Sequence, residues 1–486
     1  MKRLPIACTL LCAVLFFISC ERDISYVPFQ KIDENDLSST SINPELIARE
    51  LTDMNGWQVE ENTDQPKDNQ ALQKSAGYYI MNFQRNHIIE DIYHYKFQVR
   101  TGSGPYDIIG IHRVVKERWF GLPARTELSL FFQHGDAKDF EGMMLPATHS
   151  PSTPPDFGMA VYLAKKNVDV WGIDQAWTLV PEGTSDLSFM QDWGLQRQVD
   201  DLSIAIAIAR YTRLFSGGGF GKMILSGYSS GVFTGFALLN EETQKRPALR
   251  QVSGFIPMDF GVKMNDACFK PYFSDFYYYM LNVMNNGVYH EDVPFKPLGF
   301  LARNDPDSPS PMLEGLTNLQ AALFFGAGQI FGPDGVFHYL AGNLEDGLPA
   351  SLQLVTNEQW FDFLESAPPY EPLKFEADYA ALMTDVVDVP FDDHLSKIEV
   401  PIFNLAAAGG GGDLSIYGTT FLGSDDITHL IVSIGASSPV EEFGHIDLFI
   451  ASNAPMLVWD PIYQWLKSHH KRSARDEFDN MAYDVE

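Results

Sequence analysis

One stretch constrains the fold more than any other. Met223-Ile224-Leu225-Ser226 leads into Gly227-Tyr228-Ser229-Ser230-Gly231, and an apolar helix-like pattern runs on from Val232 to Leu239. A short apolar run, a Gly-x-Ser-x-Gly turn and a helical pattern with no gap between them predict a strand, a sharp turn and a helix. Such a turn holds its central residue, Ser229, in a strained conformation with Oγ pointing away from the sheet. Gly227 and Gly231 leave room for strand and helix to approach closely. A serine held there can attack an acyl carbonyl, and the amide N–H of Ser230 can stabilise the oxyanion that results.

The rest of the chain is organised around that turn. Residues 91–100 alternate apolar and polar, Thr101 to Pro105 make a turn, and residues 107–115 form a second strand, which together predict an antiparallel hairpin. Beyond it, strands at 128–133, 168–174, 223–226 and 252–258 alternate with helices at 159–165 and 192–214. That order predicts a mostly parallel sheet covered on both faces. From 262 to 395 the sequence turns aromatic and irregular before a strand at 401–406, a strand at 429–434 and a helix at 454–467. So long an insertion before the penultimate strand predicts a mainly helical cap over the carboxyl edge of the sheet.

The 486 residues carry 34 Lys+Arg against 64 Asp+Glu, a formal net charge of -30. That balance argues against a nucleic-acid partner and against a polybasic membrane surface. At the N-terminus Lys2 and Arg3 precede an almost wholly apolar run from Ile6 to Ile18, and Ile18-Ser19-Cys20 resembles the end of a bacterial lipobox, with Phe17 departing from the commoner leucine. The expectation is a signal peptide over 1–19, lipidation of Cys20, and a polar tether over 20–75. The protein would then sit lipid-anchored in the bacterial cell envelope, outside the cytoplasm. Of the 4 Cys, Cys8 and Cys12 leave with the signal, and Cys268 stands alone as a packing residue. Residues 473–486 form a polar, mostly acidic tail.

A strand ending in His134-Gly135-Asp136, the elbow at Ser229, and a late Glu442-Phe443-Gly444-His445-Ile446-Asp447-Leu448 follow one another in the chain. With these residues in hand, the sequence resembles a capped α/β-hydrolase of the esterase or lipase kind, over roughly residues 93–466. The resemblance implies a catalytic domain over 76–261 and 396–472, with the cap over 262–395. It also implies His445 as general base, a loop after the third strand whose Asp136 N–H is the second oxyanion donor, and a Ser, acid, His order. His134 is expected to brace that loop. For the acid, Asp413 is favoured because it follows the penultimate strand and the run Gly409 to Gly412. Asp259 is the serious rival, with Asp425 and Asp426 also open. Four glycines without a following Lys-Ser/Thr exclude a phosphate cradle. Asp392-Asp393-His394 reads as a solvated turn, and Asp174 as a loop brace.

The activity expected is hydrolysis of carboxylic esters through an acyl-enzyme, on a small molecule with an apolar acyl or aryl group. No cofactor and no metal are implied. A non-catalytic surface protein that binds a lipid or glycan on the same fold is the alternative.

Overall fold

The structure, a computed structural model, describes residues 80–470 except 268, 330–336 and 346. The expected signal peptide, Cys20, the tether, Cys268 and the acidic tail lie outside the described residues.

Three antiparallel strands open the fold: β1 (Ile80–Ile89), β2 (Ile92–Arg100) and β3 (Ile108–Trp119), with the short β4 (Leu122–Pro123) folded back on β3. Next come β5 (Leu128–Gln133), α1 (Phe140–Met144), α2 (Met159–Lys165), β6 (Val168–Asp174), α3 (Leu195–Phe215), β7 (Met223–Tyr228), α4 (Gly231–Glu242) and β8 (Val252–Met258). Between β8 and the next strand of the main sheet lie α5 (Phe269–Asn285), β9 (His290–Asp292), α6 (Phe295–Asn304), α7 (Asn318–Ala327), β10 (Gly342–Glu345), β11 (Leu348–Leu352), α8 (Asn357–Glu365), β12 (Tyr370–Pro372) and α9 (Leu373–Thr384). The sheet resumes at β13 (Ile402–Ala407), followed by α10 (Leu414–Thr419), β14 (Ile427–Val432), α11 (Asp447–Ile450) and a helical stretch over 454–470.

The main sheet has ten strands, in the order β1-β2-β3-β6-β5-β7-β8-β13-β14 with β4 beside β3. Strands from β6 to β14 along that order pair in parallel. The reason lies in the side chains, since β5, β7 and β8 are apolar on both faces and need cover on both. Alternation sends Phe131 and Leu225 into one layer with Val199 and Leu202 of α3 and Phe233 of α4. Leu130, Phe132 and Ile224 enter the other layer with Leu163 of α2 and Trp459 near the C-terminus.

Two features went beyond the sequence reading. β1 precedes the expected hairpin, and its register slips between Met81 and Gln84 and again between His87 and Ile89. Each slip breaks the period-two pattern that would have announced the strand. In the insertion, β9 pairs with β12 and β10 with β11 as small antiparallel ribbons. Strands of three to five residues are too short for a periodicity to show.

Candidate active site

Ser229 follows the last residue of β7 and precedes α4, and its φ of 54° lies in the left-handed region. Its N–H donates to Met258 O (3.1 Å), which ties the elbow to β8. The glycines around it are there for space. A Cβ on Gly231 would stand 2.7 Å from Gln133 O, and one on Gly135 would stand 2.6 Å from Ser229 Cβ and 2.8 Å from Tyr228 O. A Cβ on Gly227 would collide with the carbonyl of Gly231. The strain at Ser229 is thus imposed by two backbone turns packed too closely for any side chain.

His445 is 3 % exposed and lies in the loop before α11. Its backbone N–H donates to His338 O (3.0 Å), the N–H of Ile446 donates to Tyr339 O (2.7 Å), and Tyr228 Oη donates to His445 O (3.1 Å). The Tyr228 ring stacks on the imidazole at 4.5 Å, with Phe337 5.0 Å away. Gly444 admits the insertion beside this loop, because a Cβ there would stand 2.6 Å from Tyr339 O and 2.7 Å from Leu340 N. Asp447 fastens the same loop by accepting from the N–H groups of Gly444 (2.8 Å) and Ala341 (2.7 Å).

The carboxylate on His445 is that of Asp259, not Asp413. His445 Nδ1 donates to Asp259 Oδ2 at 2.5 Å. Asp259 follows β8, is fully buried, and has a φ of 63°. Its Oδ1 accepts from the N–H groups of Ala407 (2.6 Å) and Gly411 (2.9 Å). Burial pushes this carboxyl up, and the bonds from His445, Ala407 and Gly411 oppose that shift. Asp413 stands at the N-cap position of α10, with no capping bond from its side chain, and is exposed. The glycine run explains the misreading, since a Cβ on Gly410 would strike Asp259 Oδ2 and one on Gly411 the Asp259 carbonyl. Those glycines make room for a carboxylate arriving from the neighbouring strand rather than delivering their own. The carbonyl of Asp426 accepts from Ile402 N–H (2.8 Å) at the far, N-terminal end of β13.

Ser229, Ser230, Asp136 and His445 line one cavity of about 200 Å³, together with Phe233, Phe260, Phe276, Phe325 and Phe337. Among the described residues no hydrogen bond takes up the N–H of Ser230 or of Asp136, whereas that of Ala137 is held by Glu371 Oε1. Burial pushes the Asp136 carboxyl up to about 6, against the Ser230 and Tyr379 hydroxyls that hold it down. His134 braces the loop: Gln175 N–H donates to Nε2 (3.1 Å), which leaves Nδ1 to donate to Gly135 O (2.8 Å). Asp174 braces it from β6, accepting from Phe140 N–H (2.9 Å) and His112 Nε2 (2.7 Å). Asp392 is paired with Lys263 and belongs to the packing of the insertion. His338 and Tyr339, which hold His445, had no motif by which the sequence could have signalled them, and Tyr228 stood in the elbow at a position its pattern leaves open.

No family model matches the chain, and no curated protein matches it. Among solved structures, a candidate lipase from Sulfolobus solfataricus superposes with a TM-score of 0.56 at 18% identity, covering 81% of this chain and 99% of that one. A soluble variant of the monoglyceride lipase of Saccharomyces cerevisiae matches with a TM-score of 0.39 at 12% identity, covering 80% and 96%. The strand order and the first of these likenesses agree. The chain has the α/β-hydrolase fold. In an α/β-hydrolase fold the elbow serine stands at the carboxyl ends of the parallel strands, and here the loops after β5, β7, β8 and β13 and the loop carrying His445 all converge on it. No helix among the described residues is long and apolar enough to cross a membrane.

Proposed function

We propose that the chain is a serine hydrolase acting on carboxylic esters, with Ser229 as nucleophile, His445 as general base and Asp259 as the acid that orients it. The observation that carries this reading is the 2.5 Å bond between His445 Nδ1 and Asp259 Oδ2 beside a serine held at φ 54° in the same cavity. With its Nδ1 proton committed to Asp259, the imidazole offers Nε2 as acceptor, the tautomer that can take a proton from Ser229 Oγ. Attack on the ester carbonyl forms a tetrahedral oxyanion. The free N–H groups of Ser230 and Asp136 are its proposed donors, since Ala137 is already committed to Glu371. His445 then protonates the leaving alcohol, and water resolves the acyl-enzyme by the same route. The phenylalanine walls favour an apolar acyl or aryl group. The N-terminal pattern supports export and anchoring through Cys20, and a Cys20→Ala protein that is processed and membrane-bound like the parent would end that part of the proposal.

The deciding experiment is labelling with a fluorophosphonate. The purified protein should take up one label, and Ser229→Ala none, with ester turnover falling by on the order of 10⁴ or more. Undiminished hydrolysis by folded Ser229→Ala overturns the mechanism.

A further inference from the structure

The cavity that holds Ser229 and His445 is also lined by four carboxyl groups that the ester mechanism does not use: Asp136, Glu291, Glu371 and Glu376. Three come from the insertion, Glu291 on β9, Glu371 on β12 and Glu376 on α9. Glu291 and Glu371 are register partners across the antiparallel pair, the placement in which like charges repel most. Glu371 has a structural task, since it accepts from Ala137 N–H. Glu376 has none of that kind. It is 4% exposed, lines the cavity, and its Oε1 has no hydrogen-bond partner among the described residues. Oδ1 of Asp136 is likewise without one, while Oδ2 accepts from Tyr379 Oη at 3.3 Å.

Among the described residues that line the cavity, cationic compensation is missing where it would be needed. Lys138 lines the cavity, but its ammonium group is turned to Phe363 O and Ser366 Oγ (2.9 Å). The other titratable groups facing the four acids are Tyr228, Tyr272, Tyr339, Tyr379 and His445. Burial disfavours a carboxylate that has no partner, and protonation relieves that desolvation. Accordingly burial pushes Asp136 up to about 6 and Glu291 up to about 8, with Glu371 and Glu376 well above the usual carboxylate range. A ligand that brings its own positive charge and N–H donors satisfies the same oxygens. Tyr379 and Phe233, stacked on each other at 5.1 Å, form an aromatic part of the same wall.

We propose that the substrate of this site carries a protonated amine that donates an N–H to Glu376 Oε1 and sets its charge beside Asp136 Oδ1 and Glu291, while its ester carbonyl meets Ser229. This rests on the esterase reading and narrows it to aminoalkyl esters. The probe is 2-(dimethylamino)ethyl butyrate, set against 3-methylbutyl butyrate, which has the same shape with carbon in place of nitrogen. At neutral pH kcat/KM should favour the amine by about tenfold or more, the scale of one charge-assisted hydrogen bond. Glu376→Gln should bring that ratio close to one, and Glu291→Gln should lower it if the first variant does not fold. Calorimetry on Ser229→Ala separates this proposal from the catalytic one, because binding then needs no turnover. Tighter binding of the amine than of its carbon analogue supports the inference even if no ester is cleaved. Equal rates with equal binding overturn it, and so does a preference that survives in both glutamine variants. In that case the four acids are a neutral, proton-sharing cluster that shapes the cavity.

Discussion

The residue with the most at stake is Asp259. Two carboxylates compete on paper for His445, and the structure gives the bond to the one whose Oδ1 is already held by two backbone N–H groups. Asp259→Asn should leave the fold intact and lower ester turnover by roughly 10⁴, because the amide favours the wrong imidazole tautomer. Asp413→Asn, at an exposed N-cap position, should change it by about threefold at most. Parallel kinetics on the two folded variants decide the assignment, and a collapse only in the Asp413 variant reverses it. Gly410→Ala is a finer probe of the same point, since its Cβ would enter the space of Asp259 Oδ2. Activity should fall far more than thermal stability, and a variant with full activity would show that the carboxylate does not need that space. Ser229 and His445 were legible because an elbow and a Gly-His pair are local patterns. The acid was not, because chain order places both aspartates between strands that can serve. What separates them is whose oxygen fills the gap above four glycines, a fact about two segments far apart in sequence.

At the scale of elements, the strands of the parallel sheet could be read because burial on both faces leaves continuous apolar runs. The bulged β1 and the ribbons of the insertion could not, since their pairing is what makes them strands. The insertion also separates neighbours that sequence treats alike. Phe325 lines the cavity, while Phe324, beside it on α7, packs against the apolar layer and stands outside the lining set. Phe325→Ala should therefore shift the preference among p-nitrophenyl esters from acetate to decanoate towards longer acyl chains. It removes bulk from the wall, and several-fold changes per pair of methylenes are the scale expected. Phe324→Ala should lower stability by about 2–4 kcal/mol or less, as a partly buried site, and leave the profile alone. Identical profiles for both variants would place acyl selection outside α7.

Across the whole molecule, buried acids should set how stability depends on pH. Burial raises the proton affinity of Asp136 and Asp201 to about 6, of Asp447 to about 7 and of Glu291 to about 8, and takes Glu371 and Glu376 well upward. In the unfolded chain all of them titrate near 4. Between about pH 4 and 8 the folded state therefore binds more of their protons, so this contribution is complete below the unfolded values and lost as pH rises through the folded ones. Other groups pull the opposite way. Asp169 and Asp174 are held low by Arg113, Arg213, His112 and Lys96, and their contribution is lost only in stronger acid. Buried, neutral His94 and His134 cost stability as pH falls through the lower part of the range, and Lys138, lowered to about 7 by burial, favours the fold above that value. Between about pH 6 and 8 the three glutamates of the cavity outweigh the single lysine. The melting temperature should thus be highest in mildly acidic buffer, at about pH 5–6, and fall towards pH 8. Salt separates this cause from the formal charge of -30, whose surface repulsion would be largely screened at about 1 M ionic strength. The fall should persist in that salt and should shrink in Glu376→Gln, which cannot ionise. A melting temperature equal or higher at pH 8, or a decline abolished by salt, would show that the cavity acids do not govern it.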